Sequence, residues 1–314
     1  MRILCFGAGG VGGFYGAHLA ASGADVSFVA RGAHLDAMRA RGLTIERDGD
    51  RPPVHVPRVT AAADPRELPP PDLVLLAVKL PDTAAAVAAL RPVMRPGTAI
   101  LSLQNGVTKD DVLRVLFGPG AVIGGVTYVS THVARPGIIA QTGPMQRLEV
   151  GEYDGARSPR VAALLEAASR AGVAVDNPPD IRAAIWGKFT FLVGLSAVTT
   201  AMRVPIGPIR ANPRARAFLR DVVLEVAAVA RAAGVALPPD AVEAALRRAE
   251  TIAPGMTSTM HQDLQAGRPL ELPWLSGAVV DLGALHGVPT PCNRAVRDIL
   301  AVHADPRAAT PHGP

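Results

Sequence analysis

The chain opens on a short apolar run, Arg2-Ile3-Leu4-Cys5-Phe6, breaks at Gly7-Ala8-Gly9-Gly10-Val11-Gly12, and enters an apolar helical stretch before a second apolar run, Val26 to Ala30. A strand, a glycine turn, a helix and a second strand build the unit that cradles a dinucleotide pyrophosphate. Gly7 permits the tight turn, Gly9 lets the backbone approach the phosphates, and Gly12 lets the helix pack on the strand. Ala8, Gly10 and Val11 complete the loop. The helix N-terminus adds N–H groups and partial positive charge for the anion.

The end of the second strand selects the nucleotide. An NAD site usually places Asp or Glu about 20 residues past the glycines, on the ribose 2′-hydroxyl. Here that place reads Val29-Ala30-Arg31-Gly32, without a carboxylate. Arg31 is a planar, permanently charged fork suited to a 2′-phosphate, so NADPH/NADP+ is the expected cofactor. The alternative for Arg31 is a solvated loop arginine.

At 314 residues, with 49% hydrophobic and 19% charged, the chain is long enough for two domains with ample cores. The formal charge of +5 is scattered, with no basic run interleaved with aromatics, which argues against nucleic acid as a partner. Two cysteines, Cys5 and Cys292, make neither a disulfide framework nor a metal spacing, and the eight histidines are dispersed, so no metal is expected. The most lipid-like stretch, Phe189 to Met202, is shorter than the roughly 20 residues a membrane span requires and reads as a buried helix. With a core strand at the very start, no leader peptide is expected, and the reading is a soluble cytoplasmic protein without a membrane partner.

Along the first half, strands and helices alternate. Leu43-Thr44-Ile45 and Val54-His55-Val56 flank a polar turn at Asp48-Gly49-Asp50 and suggest a hairpin. Leu73 to Val78 and Thr98 to Leu103 read as buried parallel strands, with helices at His34 to Arg41, Ala84 to Leu90 and Asp110 to Leu116. Further strands, at Val122-Ile123, Gly124 to Thr127, Leu148 to Gly151 and Val173 to Val175, together with a helix from Pro159 to Ala171, close the domain. Beyond Asn177-Pro178-Pro179-Asp180 helical patterns dominate: Ile181 to Thr200, Arg214 to Ala233, Asp240 to Thr251, Thr259 to Ala266, Leu275 to His286 and Asn293 to Val302. The expected fold is α/β: a Rossmann-type doubly wound sheet over 1–178, then an all-α domain over 179–303 and a disordered tail over 304–314. Ligands of such sheets lie beyond the strands' carboxyl ends, which puts the expected substrate in a cleft between the domains.

Of the 32 basic residues only three are lysine: Lys79, Lys109 and Lys188. A lysine kept amid arginine can occupy a place arginine cannot fill, because a desolvated amine releases its proton and a guanidinium does not. Lys188, in Ile185-Trp186-Gly187-Lys188-Phe189, is a candidate general acid for a carbonyl becoming an alkoxide; the alternative is a snorkelling side chain. Lys79 ends a strand where the cofactor should lie, and Lys109 follows a turn and reads as surface. Asn105, in Gln104-Asn105-Gly106, holds ribose or substrate, or is an ordinary Asn-Gly turn. Ser258 and Thr259 aim at a substrate carboxylate, or Thr259 and Gln262 form a capping box. Glu271 pairs with Lys188 or caps the next helix.

These residues together resemble the ketopantoate reductase family (2-dehydropantoate 2-reductase). The likeness runs from Met1 to about Val302 and rests on Gly7 to Gly12, Arg31, Leu76-Ala77-Val78-Lys79, Gln104-Asn105-Gly106, Trp186-Gly187-Lys188-Phe189, Ser258-Thr259-Met260-His261-Gln262-Asp263 with Gly267-Arg268-Pro269, and Gly287-Val288-Pro289-Thr290-Pro291. The resemblance implies an NADPH enzyme of two domains that reduces ketopantoate to pantoate, on the pantothenate route to coenzyme A. It implies that Lys188 is the catalytic lysine, that Asn105 is shared by cofactor and substrate, and that Lys79 and Arg31 touch the cofactor. It further implies that Glu271 lies near the nicotinamide end and that Ser258 or Thr259 supplies the substrate hydroxyl. Where the family usually has asparagines, this chain has Leu192, Ser196, Met256 and Ile206. Fewer amides suit a more apolar 2-keto acid, with Ser196 still able to bind substrate. The rival readings are a nicotinamide-binding redox sensor that does not turn over, and a 3-hydroxy acid dehydrogenase. The apolar helical domain allows a homodimer.

Overall fold

The computed structural model describes residues 1–304. By internal contacts the chain divides into two units. The first comprises Met1–Gln104 with Lys109–Ile181; the second comprises Asn105–Thr108 with the chain from Arg182 onward.

The first unit contains β1 (Arg2–Phe6), α1 (Gly10–Ala21), β2 (Asp25–Val29), α2 (Gly32–Arg41), β3 (Leu43–Arg47), β4 (Val54–Val56), β5 (Thr60–Ala62), β6 (Leu73–Leu76), α3 (Thr83–Leu90), β7 (Ala99–Ser102), α4 (Lys109–Phe117), β8 (Val122–Arg135), β9 (Ile138–Gly151), α5 (Pro159–Arg170) and β10 (Ala174–Asp176). The sheet order is β4-β3-β9-β8-β7-β6-β1-β2-β5, with β10 on β9. The strands from β8 through β7, β6, β1 and β2 to β5 are all parallel. Alternation along them shows why the sheet is covered on both faces. Ile3 and Cys5 of β1, with Leu73 and Leu75 of β6, enter one core under α1, while Leu4, Phe6, Val74 and Leu76 enter another under α3.

The hairpin at 43–56 forms as expected, β3 antiparallel to β4. The several short strands expected between Val122 and Gly151 are instead two 14-residue strands, β8 and β9. They turn at Pro136-Gly137, where Gly137 takes φ +80°, and irregularities between Val129 and Thr131 and between Val133 and Arg135 interrupt their register. The short strand β5 gave no pattern of its own; its place comes from pairing with β2.

Burial disfavours the charged form of two imidazoles in this unit. His18 is buried, with Nδ1 3.2 Å from Ala171 O, and His34 is half-buried; burial lowers both below the usual 6.5. The unfolded chain binds these protons at ordinary values and the folded chain resists them. Their share of stability is therefore whole above pH 6.5 and is lost as pH falls toward the lowered folded values. Thermal melts between about pH 8 and 5 should show a falling midpoint on the acid side, and His18→Phe should flatten that slope.

The second unit is helical: α6 (Ile181–Met202, its first residue grouped with the sheet), α7 (Ile206–Ala211), α8 (Pro213–Ala232), α9 (Ala241–Thr251), α10 (Thr259–Gln265), α11 (Ser276–His286) and α12 (Pro291–Ala304). Trp186, Phe189, Val193 and Val198 of α6 meet Val222 and Val226 of α8, Val279 of α11 and Val296 of α12 in one core. α6 starts where the expected helical pattern Ile181 to Thr200 starts and ends two residues later; at 22 residues it is by length and composition able to cross a membrane, yet its apolar residues are built into this core. The carboxylate of Glu225, on α8, takes the Cys292 and Asn293 N–H groups at the start of α12, at 2.7 and 2.9 Å, which fixes that helix. Ala304, expected to begin a disordered tail, closes α12, and its carbonyl accepts from Leu270 N at 3.1 Å. The rest of that tail, 305–314, lies outside the described residues.

Candidate active site

Strand register and strand ends place the candidate residues of the first unit, and also Asn105, which by contacts is grouped with the second. Phe6 is level with Val29 and with Leu76, and Leu76 is level with Ser102. Gly7 follows the end of β1 by one residue, Arg31 the end of β2 by two, and Lys79 and Asn105 the ends of β6 and β7 by three. These are the carboxyl ends of neighbouring parallel strands, the edge where doubly wound sheets bind nucleotides. Arg31 and Lys79 are both exposed there.

Within the loop the glycines divide their labour. Gly7 has φ +98°, and a Cβ on it would lie 2.8 Å from Val78 Cγ1 and 2.9 Å from Val78 N. A Cβ on Gly12 would lie 2.2 Å from Gly7 O and 2.8 Å from Ala77 Cβ. These two glycines are therefore demanded by the protein's own packing. Gly9 is different: its φ of −72° is ordinary, and a Cβ there would meet no atom within 4 Å. Nothing inside the fold requires glycine at that position, whereas a phosphate approaching the backbone would. Gly9 is also the N-cap of α1, whose first turn holds no acidic residue to compete with an anion. The cradle fits a dinucleotide.

In the second unit, Lys188 is half-buried on α6, and its Nζ donates to Asn105 Oδ1 at 3.0 Å. The amide oxygen turns a flexible ammonium into an aimed one. The residue before Asn105 is fixed in turn: Gln104 Nε2 donates to Val78 O at 3.1 Å and Thr83 Oγ1 at 2.8 Å, and its Oε1 accepts from Ser102 Oγ at 3.0 Å.

Lys109, expected on the surface, is instead 4% exposed. Its Nζ donates to Asp110 Oδ2 at 2.8 Å, Ser102 O at 3.0 Å and Gly125 O at 3.5 Å. Tyr153 donates to the same Asp110 oxygen at 2.6 Å, and burial raises its phenol pKa. A compact ammonium with three donors matches three converging oxygens, and a planar fork would not. Its place after a turn concealed this, because two of the three oxygens, Ser102 O and Gly125 O, come from the strands β7 and β8.

The α10 cap also differs from expectation. Ser258, not Thr259, is the N-cap: its Oγ accepts from His261 N at 3.1 Å and lies 3.1 Å from Thr199 Oγ1 and 3.4 Å from Thr200 Oγ1. Gln262 reaches Thr257 Oγ1 at 3.5 Å rather than forming a box with Thr259. His261 Nδ1 sits 2.7 Å from Thr199 O. Ser258 is thus buried and engaged, while Thr259 is exposed at the head of the helix. The pair Thr199 and Thr200 gave no signal in sequence beyond an apolar helix.

Glu271 is 7% exposed and precedes the turn Leu272–Trp274, where its side chain makes no capping bond. Ser196 is buried, Leu192 is half-buried, and Met256 is exposed. Ile206 is fully buried in the helical core, and its N–H donates to Met256 O at 3.0 Å.

The sequence and fold have clear relatives. The family profile described as "Ketopantoate reductase PanE/ApbA" matches residues 3–155, and its C-terminal counterpart matches residues 180–304. A 2-dehydropantoate 2-reductase of Mesorhizobium japonicum is 34% identical, covering 94% of this chain and 95% of its own. One from Halobacterium salinarum is 32% identical, over 96% of this chain and 98% of its own. The crystal structure of a PanE/ApbA family ketopantoate reductase from Ralstonia eutropha is similar at a TM-score of 0.88 and 35% identity, covering 97% of this chain and 98% of that one.

Proposed function

The chain belongs to the ketopantoate reductase family, and from that premise we propose that it is an oxidoreductase that uses NADPH to reduce 2-dehydropantoate (ketopantoate) to pantoate. The observation that carries the reading is the Lys188 ammonium held at 3.0 Å by Asn105 Oδ1. When bound, the reduced nicotinamide supplies a hydride to C2 of the keto acid.

The chain's own residues do the rest. The Gly7–Gly12 turn and the start of α1 hold the pyrophosphate, Arg31 the 2′-phosphate, and Lys79 a further part of the nucleotide. The Lys188 Nζ–H donates to the keto oxygen as negative charge develops there, then gives up the proton that completes the hydroxyl; water restores the ammonium. Asn105 keeps Lys188 aimed, and Glu271 orients the amine. Thr259, exposed at the N-terminus of α10 beside the capping Ser258, binds the substrate carboxylate. The integration of α6 into its unit's core supports a soluble enzyme.

A second reading of the substrate rests on Leu192 and Ser196, one and two helical turns beyond Lys188 on the same side of α6. An apolar side chain at the nearer position favours a 2-keto acid with a more apolar substituent than ketopantoate.

NADPH absorbance followed with a panel of 2-keto acids, ketopantoate included, tests the reading. Oxidation is expected with at least one of them, and the ranking of kcat/KM chooses between ketopantoate and an apolar analogue. NADPH binding without oxidation by any member would leave a nucleotide-binding sensor and overturn the enzyme.

A further inference from the structure

Ala8, at the middle of the glycine turn, has both backbone polar groups engaged. Its N–H donates to Val29 O at 3.0 Å, the carbonyl that also takes the Gly7 N–H at 3.1 Å. Its own carbonyl oxygen lies 2.9 Å from His34 Nε2, on the first turn of α2. The other ring nitrogen, His34 Nδ1, accepts from the Gly137 N–H at 3.1 Å. A peptide N–H can only donate, so Nδ1 offers a lone pair and Nε2 carries the proton to Ala8. His34 thus ties the glycine turn to the bend of the β8–β9 hairpin through one neutral tautomer. Burial favours that neutral form.

The consequence lies one residue on. All described peptides are trans. In a planar trans peptide the carbonyl and the following N–H point to opposite sides, so fixing Ala8 O fixes the direction of the Gly9 N–H. Gly9 is the position whose missing side chain faces open space. We propose that His34 is a positioning residue for the dinucleotide, presetting the Gly9 N–H for a pyrophosphate oxygen by holding the Ala8 carbonyl. This rests on the reading of Gly7–Gly12 as the NADPH cradle. Without the imidazole the Ala8–Gly9 peptide must be ordered when the nucleotide binds, and affinity drops by that cost.

The test compares wild type, His34→Ala and His34→Gln by NADPH titration (quenching of intrinsic fluorescence), steady-state kinetics and thermal melts. His34→Ala should raise Kd and KM for NADPH about tenfold. The KM for the keto acid should stay near wild type, and kcat at saturating NADPH should change less than the nucleotide KM. Gln keeps a donor for Ala8 O and should recover most of the affinity, whatever either variant does to the melting temperature. A purely structural histidine would lower the melting temperature of both variants without separating nucleotide KM from kcat. Affinity within about twofold of wild type in His34→Ala would overturn the role of His34 alone. Failure of the wild type to bind NADPH would overturn the cradle and this inference together.

Discussion

Lys188→Ala should lower turnover by about 10²–10⁴-fold, the range that a positioned proton donor contributes, while NADPH affinity should stay near wild type. The two effects separate because the residues assigned to the nucleotide phosphates belong to the first unit and Lys188 to the second. Truncation removes both the hydrogen-bond donor for the developing alkoxide and the proton that completes the hydroxyl. Lys188→Arg is the sharper control. It keeps a positive charge and donors but releases its proton far less readily, so it should stay well below wild type even with substrate bound. Asn105→Ala should cost less than Lys188→Ala, since the ammonium survives and loses only its aim. Single-turnover mixing with saturating NADPH and keto acid reads the chemical step directly. If Lys188→Ala holds within about twofold of wild type there, the amine is not the proton donor.

How far such a site can be read in advance depends on where the physical information sits. Local patterns located the glycine turn, the parallel strands and the position of Arg31, because a strand run and a glycine spacing act over a few residues. The doubly wound sheet and the helical second unit followed from the order of such runs. The long β8–β9 hairpin did not, since its outer half is half-exposed and its register is broken between Val129 and Thr131 and between Val133 and Arg135. Lys109 is more instructive. The rule that singled out Lys188, a lysine spared amid arginine, applied to Lys109 equally, yet its place after a turn made it read as surface. Its burial is decided by Ser102, Gly125 and Tyr153, from other elements. His34 and Thr199 belong to the same class, since their bonds to Ala8 and to Ser258 join positions far apart in the chain.

Gly9→Ala and Gly12→Ala should both abolish most activity at low NADPH, for opposite reasons, and the contrast tests the cradle. At Gly12 a methyl would lie 2.2 Å from Gly7 O and 2.8 Å from Ala77 Cβ. Neither neighbour is a flexible side-chain end, so the helix must shift from the strand, at a cost of about 1–3 kcal/mol or more. The melting temperature should fall, and nucleotide binding should weaken because the turn itself is displaced. At Gly9 the backbone is at φ −72°, ψ −162°, which alanine adopts freely, and its methyl would meet nothing within 4 Å. Stability should therefore hold or rise slightly, because alanine has less freedom to lose from the unfolded chain. The same methyl would occupy the approach of a phosphate to the backbone, so the Kd for NADPH should rise at least about tenfold. Calorimetric melts and NADPH titration of the two variants separate these outcomes. A Gly9→Ala protein that binds NADPH like the wild type would mean that no phosphate contacts this turn, and the pyrophosphate would have to be sought elsewhere on the strand edge.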